Sequence, residues 1–169
     1  MIISEKNDLR INMKAIFLVV GKTVDKHFIA STDEYISRIK HYMGFEMVVI
    51  PELKNTKNLS EEQQKEKEGE QILKTIQPGD YVILLDEAGA ERRSIEFAQW
   101  LEKKMNAGSK RLIFIVGGPY GFSPAVYAAA NEKISLSKMT FSHQMIRMIF
   151  TEQFYRAMTI LNNEPYHHE

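Results

Sequence analysis

Arg111-Leu-Ile-Phe-Ile-Val116 is an apolar run that passes without interruption into Gly117-Gly-Pro-Tyr-Gly121. A short run rich in β-branched and aromatic residues, closed by glycine and proline, reads as a strand buried on both faces. Glycine belongs where a backbone turns tightly or lets something approach closely. The end of this strand therefore reads either as a plain strand-to-loop turn or as a place for a ligand. The block has neither the Gly-x-Gly-x-x-Gly of dinucleotide folds nor the Gly-Lys-Ser/Thr of a P-loop.

Upstream, the same alternation repeats. Ala15 to Val20 is an unbroken apolar strand, and Phe45 to Ile50 is a second one, stopped by Pro51. Tyr81 to Leu85 follows the Pro78-Gly79-Asp80 turn as a third and ends at Asp86. Between them, Phe28, Tyr35, Ile36, Ile39 and Met43 approach helical spacing over 28–43. Ser60 and Gln63 form a capping box for a helix to Ile76, and Ser94 caps a helix through Met105 that Ala107-Gly108 ends. Downstream, Ser123-Pro124 opens a short helix through Ala130. Lys133 to Leu136 is a fifth strand, and Ser142 caps a last helix to about Leu161.

Strand–helix alternation of this kind predicts one α/β domain, a mostly parallel sheet with helices on both faces. Ligands in such folds sit beyond the carboxyl ends of strands. Three segments are the candidates: Leu85-Asp86, Gly117 to Gly121, and Leu136 to Phe141.

The 169 residues suit a single domain with its own core. The chain has no cysteine, which excludes disulfides, zinc-thiolate sites and thiol nucleophiles. No signal peptide or membrane span is legible, so a cytoplasmic location and no membrane partner are expected. Residues 1–12 show no periodicity and read as a flexible or non-native extension, leaving 13–169 as the domain. Lysine plus arginine equals aspartate plus glutamate at 22 each, without the basic excess of proteins that grip naked nucleic acid. His143, His167 and His168 lack the spacing of a preorganised metal site, and no metal is expected.

Several blocks together carry a resemblance that covers nearly the whole chain from Met13. They are Met13-Lys-Ala-Ile-Phe-Leu-Val-Val-Gly21, Gly117-Gly-Pro-Tyr-Gly121, Ser137-Lys-Met-Thr-Phe-Ser-His-Gln144, Glu152-Gln-Phe-Tyr-Arg-Ala157 and Pro165-Tyr-His-His-Glu169. The chain resembles the RlmH family of SPOUT-superfamily methyltransferases. These use S-adenosylmethionine (SAM) to methylate N3 of a pseudouridine in large-subunit (23S) ribosomal RNA. The resemblance implies a C-terminal trefoil knot, which no base rate would suggest. It also implies a SAM pocket formed by Leu85, Gly117, Gly118, Leu136, Ser137, Lys138, Met139, Thr140 and Phe141, within which Lys138 reads as a surface lysine. Tyr166, His167 and His168 become the catalytic candidates on a tail that contacts the target base. His168 stands where some members carry arginine, which makes a cation contact there pH-dependent. The implied partners are the 23S rRNA of the assembled ribosome and a second copy of the chain in a homodimer.

Other readings stand beside these. The apolar positions of the last helix suit a central core helix as well as a dimer face, and a Tyr-His-His-Glu tail suits frayed surface as well as a site. Arg147 and Arg156 can meet a phosphate or pair with Glu152. A non-catalytic ribosome- or nucleotide-binding module is the alternative function. A nicotinamide-dependent oxidoreductase is disfavoured, because Gly21-Lys-Thr-Val supplies one glycine where a fingerprint is needed.

Overall fold

The computed structural model describes residues 13–168. The expectation for residues 1–12 lies outside them, as does Glu169. Five strands, β1 (Lys14–Val20), β2 (Gly44–Ile50), β3 (Tyr81–Glu91), β4 (Arg111–Val116) and β5 (Glu132–Ser135), form one sheet in the order β2-β1-β4-β3-β5. Every strand pair is parallel. The helices are α1 (Lys26–Ile39), α2 (Glu61–Thr75), α3 (Ser94–Asn106), α4 (Pro124–Ala129) and α5 (His143–Leu161).

Alternation along the strands divides the core in two. Ala15, Phe17, Val19, Leu112 and Phe114 face one side and pack with α1, α3 and α5 through Ile36, Phe97, Trp100, Leu101, Phe150 and Phe154. Ile16, Leu18, Val82, Leu84, Ile113 and Ile115 face the other and pack with Ile72 of α2, Phe122 and Val126 of α4. Phe114 lies 5.0 Å from Phe150 and 5.8 Å from Phe154, ring centre to ring centre. The last helix is thus the middle of one helical layer, which accounts for much of its apolar excess.

Local chemistry sets the element ends. Ser60 and Gln63 form the expected capping box, with the Ser60 amide donating to Gln63 Oε1 at 2.9 Å and the Gln63 amide to Ser60 Oγ at 3.1 Å. Ser123 and Ser142 cap α4 and α5 as their sequences indicate. Ser94 does not cap α3. It is the first helical residue, and Glu96 takes the Arg93 amide at 2.8 Å while Ser94 Oγ turns to Gln153. The first helix begins and ends earlier than periodicity indicates, because Asp25 caps it and residues 40–43 turn into β2.

The largest departure is in β3, which does not stop at Asp86. Leu85 pairs with Ile134, residues 86–89 loop out, and Ala90 then pairs with Ile134 again. A side chain at Gly89 would lie 2.6 Å from the Ile134 backbone, so only glycine allows this close return. The fifth strand begins one residue earlier than expected and leaves Leu136 just past its end.

Candidate active site

The strand order makes β4, β3 and β5 neighbours, so their carboxyl ends deliver three loops to one place. Leu85 pairs with both Val116 and Ile134, which brings Gly117 and Leu136 to opposite sides of it. Beyond these ends lies an open cleft of about 650 Å³, within the range usual for small-molecule sites. Leu85, Gly117, Gly118, Leu136, Ser137, Met139, Thr140 and Phe141 all line it. Lys138 is exposed and does not.

The glycine turn is braced from below. The amide of Gly118 donates to Glu68 Oε1 of α2 at 2.7 Å, and the Gly121 amide returns to the Gly118 carbonyl at 3.2 Å. Gly121 has φ +80°, a conformation side chains resist. A side chain at Gly118 would meet Glu68 Oε2 at 2.3 Å, and one at Gly117 would meet the Phe122 ring at 3.1 Å. A side chain at either position therefore presses on the protein's own packing: at Gly118 the Glu68 carboxylate would have to swing away, and at Gly117 the Phe122 ring would have to shift slightly. The next residue of α2, Gly69, lets that helix approach the Ser123 cap of α4.

Burial pushes the Glu68 carboxyl pKa up, and the Gly118 N–H pulls it partly back. An acid whose pKa is raised by folding binds protons more readily in the native state, so its charge costs stability at neutral pH and the cost disappears on acidification. Glu68→Gln keeps an acceptor for Gly118 without the charge. It is expected to melt at or above the wild-type temperature at pH 7, with the gap closing as the pH falls through the raised carboxyl pKa. Thermal denaturation across that range, with SAM affinity at each point, is the check. A lower melting temperature at pH 7 would contradict the argument.

The cleft is also lined by Asp86 and Glu87 of the β3 excursion and by Glu61 and Lys65 of α2. Asp86 accepts from the Ala88 amide at 2.8 Å and from the Tyr127 hydroxyl of α4. Burial first, then that bond, pushes the Tyr127 pKa up to about 12, so the phenol stays protonated and donating. Asp86 and Tyr120, which fall within the candidate strand-end segments, line the cleft as expected. Glu61, Glu87, Tyr127, His143 and Ile146 line it too but escaped sequence reasoning; Tyr127 gave no signal, because only the fold carries α4 to β3.

The tail is elsewhere in the chain. Tyr166 donates to Glu152 Oε1 at 3.0 Å, and its ring packs edge-on against Tyr155 at 4.8 Å. The Arg156 guanidinium lies 4.8 Å from the Tyr166 ring centre and 3.2 Å from His167 Nδ1, while pairing with Glu152 at 2.6 Å. A guanidinium can only donate, so Nδ1 accepts and the neutral ring carries its proton on Nε2. Burial, then bonds to Tyr35 and Glu152, push the Tyr166 pKa far up, so this phenol is a donor rather than a base. His168 is exposed. Arg156 and the cleft-lining His143 share α5 but stand about 20 Å apart along it at 1.5 Å per residue. The structure thus brings the pocket residues together and leaves Tyr166, His167 and His168 outside that pocket. Arg156 pairs with Glu152. Arg147 is 2% exposed and ties α5 to the end of β1, donating to the Val20 carbonyl at 2.7 Å and Thr23 Oγ1 at 2.9 Å.

A single α/β domain with its cleft past three adjacent parallel strands is the architecture of a ligand-binding enzyme domain, and comparison with known proteins gives the family. The model of the family described as "Predicted SPOUT methyltransferase" matches residues 13–167, and the chain belongs to that family. "Ribosomal RNA large subunit methyltransferase H" of Phocaeicola vulgatus is 69% identical over 157 residues, covering 93% of this chain and 100% of that protein. The protein of the same name in Bacteroides fragilis is 67% identical over the same shares. Among solved structures, the SpoU methyltransferase AviRb from Streptomyces viridochromogenes, in complex with AdoMet, is similar at 12% identity and a TM-score of 0.45. That match covers 92% of this chain and 60% of that one.

Proposed function

We propose that this protein is a SAM-dependent methyltransferase acting on N3 of a pseudouridine in 23S rRNA of the assembled ribosome. The observation that carries the reading is the convergence of Leu85, Gly117, Gly118 and the 136–141 loop on one cleft at adjacent strand ends. The relatives' shared name points the same way. The cleft's size suits a nucleoside cofactor, with apolar Leu85, Leu136, Met139 and Ile146 for the adenine. Its acids Glu61, Asp86 and Glu87 suit a ligand with sulfonium and ammonium charges.

SAM supplies an already activated methyl group, so the protein's work is alignment and removal of the N3 proton. Tyr166, His167 and His168 are the groups for positioning the base and stabilising the developing anion, with a histidine rather than the donating Tyr166 taking the proton. They stand far from their own chain's cleft, so the working unit is a homodimer in which one copy's tail serves the other copy's cleft. The chain after β3 is taken to thread as the trefoil knot of the family. The site is cytoplasmic, with the ribosome as partner. Among the described residues no helix is long and apolar enough to cross a membrane.

With 22 basic and 22 acidic residues, there is little surplus to neutralise the phosphates of naked RNA. Recognition then rests on shape and on one accessible base. Assembled ribosomes from a strain lacking the enzyme are expected to accept labelled methyl groups, and equal amounts of protein-free 23S rRNA to be poor acceptors at physiological salt. Absence of transfer to either would remove the methyltransferase reading in favour of a non-catalytic binding module. Equal rates on both would remove the requirement for the particle.

A further inference from the structure

We propose that Tyr120 is a stacking platform for the acceptor base, an unpaired pyrimidine-type ring presented by RNA; this rests on the methyltransferase reading above. The chain has seven tyrosines, all within the described residues. Tyr35, Tyr42, Tyr155 and Tyr166 pack against one another, and Tyr81 and Tyr127 donate to Glu132 and Asp86. Tyr120 alone has neither a ring neighbour nor a hydrogen bond among the described residues, and it is 42% exposed at the cleft. Aromatic side chains usually find such partners, so one held idle at a cleft mouth is available to a ligand.

Its backbone is the opposite of idle. Pro119 fixes φ on one side, Gly121 closes the turn at φ +80° on the other, and Glu68 holds the Gly118 amide at 2.7 Å. The ring is therefore presented from a rigid turn, and little further ordering is needed to stack on it. Met139, which lines the same cleft, is 79% exposed, a second unburied apolar side chain. A base must leave its own stack before its N3 can approach a methyl donor, which costs a few kcal/mol. A free aromatic face beside the cleft restores that lost stacking, as in other recognition of single-stranded RNA.

The test compares wild type, Tyr120→Ala and Tyr120→Phe in three measurements: SAM affinity by calorimetry, co-sedimentation with ribosomes without SAM, and KM for ribosomes. Alanine is expected to raise KM and weaken co-sedimentation about tenfold. SAM affinity should stay within about twofold, and phenylalanine should behave as wild type because the ring, not the hydroxyl, does the stacking. Unchanged ribosome binding and KM in the alanine variant would overturn the proposal. So would a loss of SAM affinity in step with KM, which would make Tyr120 part of the cofactor wall. Should the wild type bind ribosomes but transfer no methyl group, the function reading fails while the co-sedimentation difference still decides the role of the ring.

Discussion

Removing Tyr166 to Glu169 is expected to lower methyl transfer to ribosomes by about 10²- to 10⁴-fold, the usual worth of a positioned acid–base group. SAM affinity is expected to be unchanged. The separation follows from geometry. The cleft is lined by β3, β4 and β5 ends and the first turn of α5, whereas Tyr166 and His167 lie on Glu152, Tyr155 and Arg156 farther along that helix. Truncation also frees Glu152 and Arg156, which keep each other as partners at 2.6 Å, so the helix itself should survive. Co-expression then distinguishes action in cis from action in trans. A tail-deleted copy retains its cleft, and a Gly118→Val copy retains its tail. In a homodimer with shared sites, random pairing should restore about a quarter of wild-type sites. Assayed at SAM well below the weakened affinity of the Gly118→Val copy, each variant alone retains about a hundredth of wild-type transfer or less, so a return to about a quarter in the mixture can come only from a site built by two chains. No restoration would place the tail's action within one chain, or return it to surface.

The strands β1 and β4 and the first half of β3 were legible because each is a short apolar run between turn residues, and their burial on both faces leaves no competing helical period. The pocket loops were legible for a related reason: in a parallel sheet the strand ends are where ligands go, and glycine marks the tightest of them. What escaped the sequence depends on contacts between distant segments. The apolar run of the third strand ends at Asp86; only the return of Ala90 to Ile134 carries the strand on to Glu91. Glu68 sits in a run of charged residues that reads as a solvated face, yet its carboxylate accepts the Gly118 amide of the glycine turn. Arg147 reads as a helix cation able to meet a phosphate or pair with Glu152, and it is among the largest fully buried side chains. A guanidinium buries when carbonyl and hydroxyl acceptors meet it, and those acceptors come from the far end of the chain. The reading of the tail as catalytic comes from the resemblance, since its residues carry no periodicity and a polar aromatic end suits frayed surface as well.

Gly118→Val is expected to weaken SAM binding about a hundredfold while leaving the fold intact. The cause lies beneath the loop. A β-carbon at this position would lie 2.3 Å from Glu68 Oε2 and 2.7 Å from Oε1, and valine adds two further methyl groups. Glu68 can swing away, since the offending atoms are the end of a flexible side chain, but it then gives up the Gly118 amide. Losing a hydrogen bond to a charged group costs about 1.5–3 kcal/mol, and forcing methyl groups into packed space about 1–3 kcal/mol. A total near 3 kcal/mol, delivered to the loop that forms one wall of the cleft, is about a hundredfold in affinity. The rest of the sheet feels little, because Gly118 lies past the end of β4 and the core residues Ile113 and Ile115 are untouched. Calorimetry with SAM and a melting curve read the two effects separately. Glu68→Ala supplies the decisive comparison: both substitutions break the same contact, so the double variant should lose far less than the sum of the single losses. Additive losses would show that valine acts on the ligand directly, and unchanged affinity in Gly118→Val would remove this turn from the cofactor site.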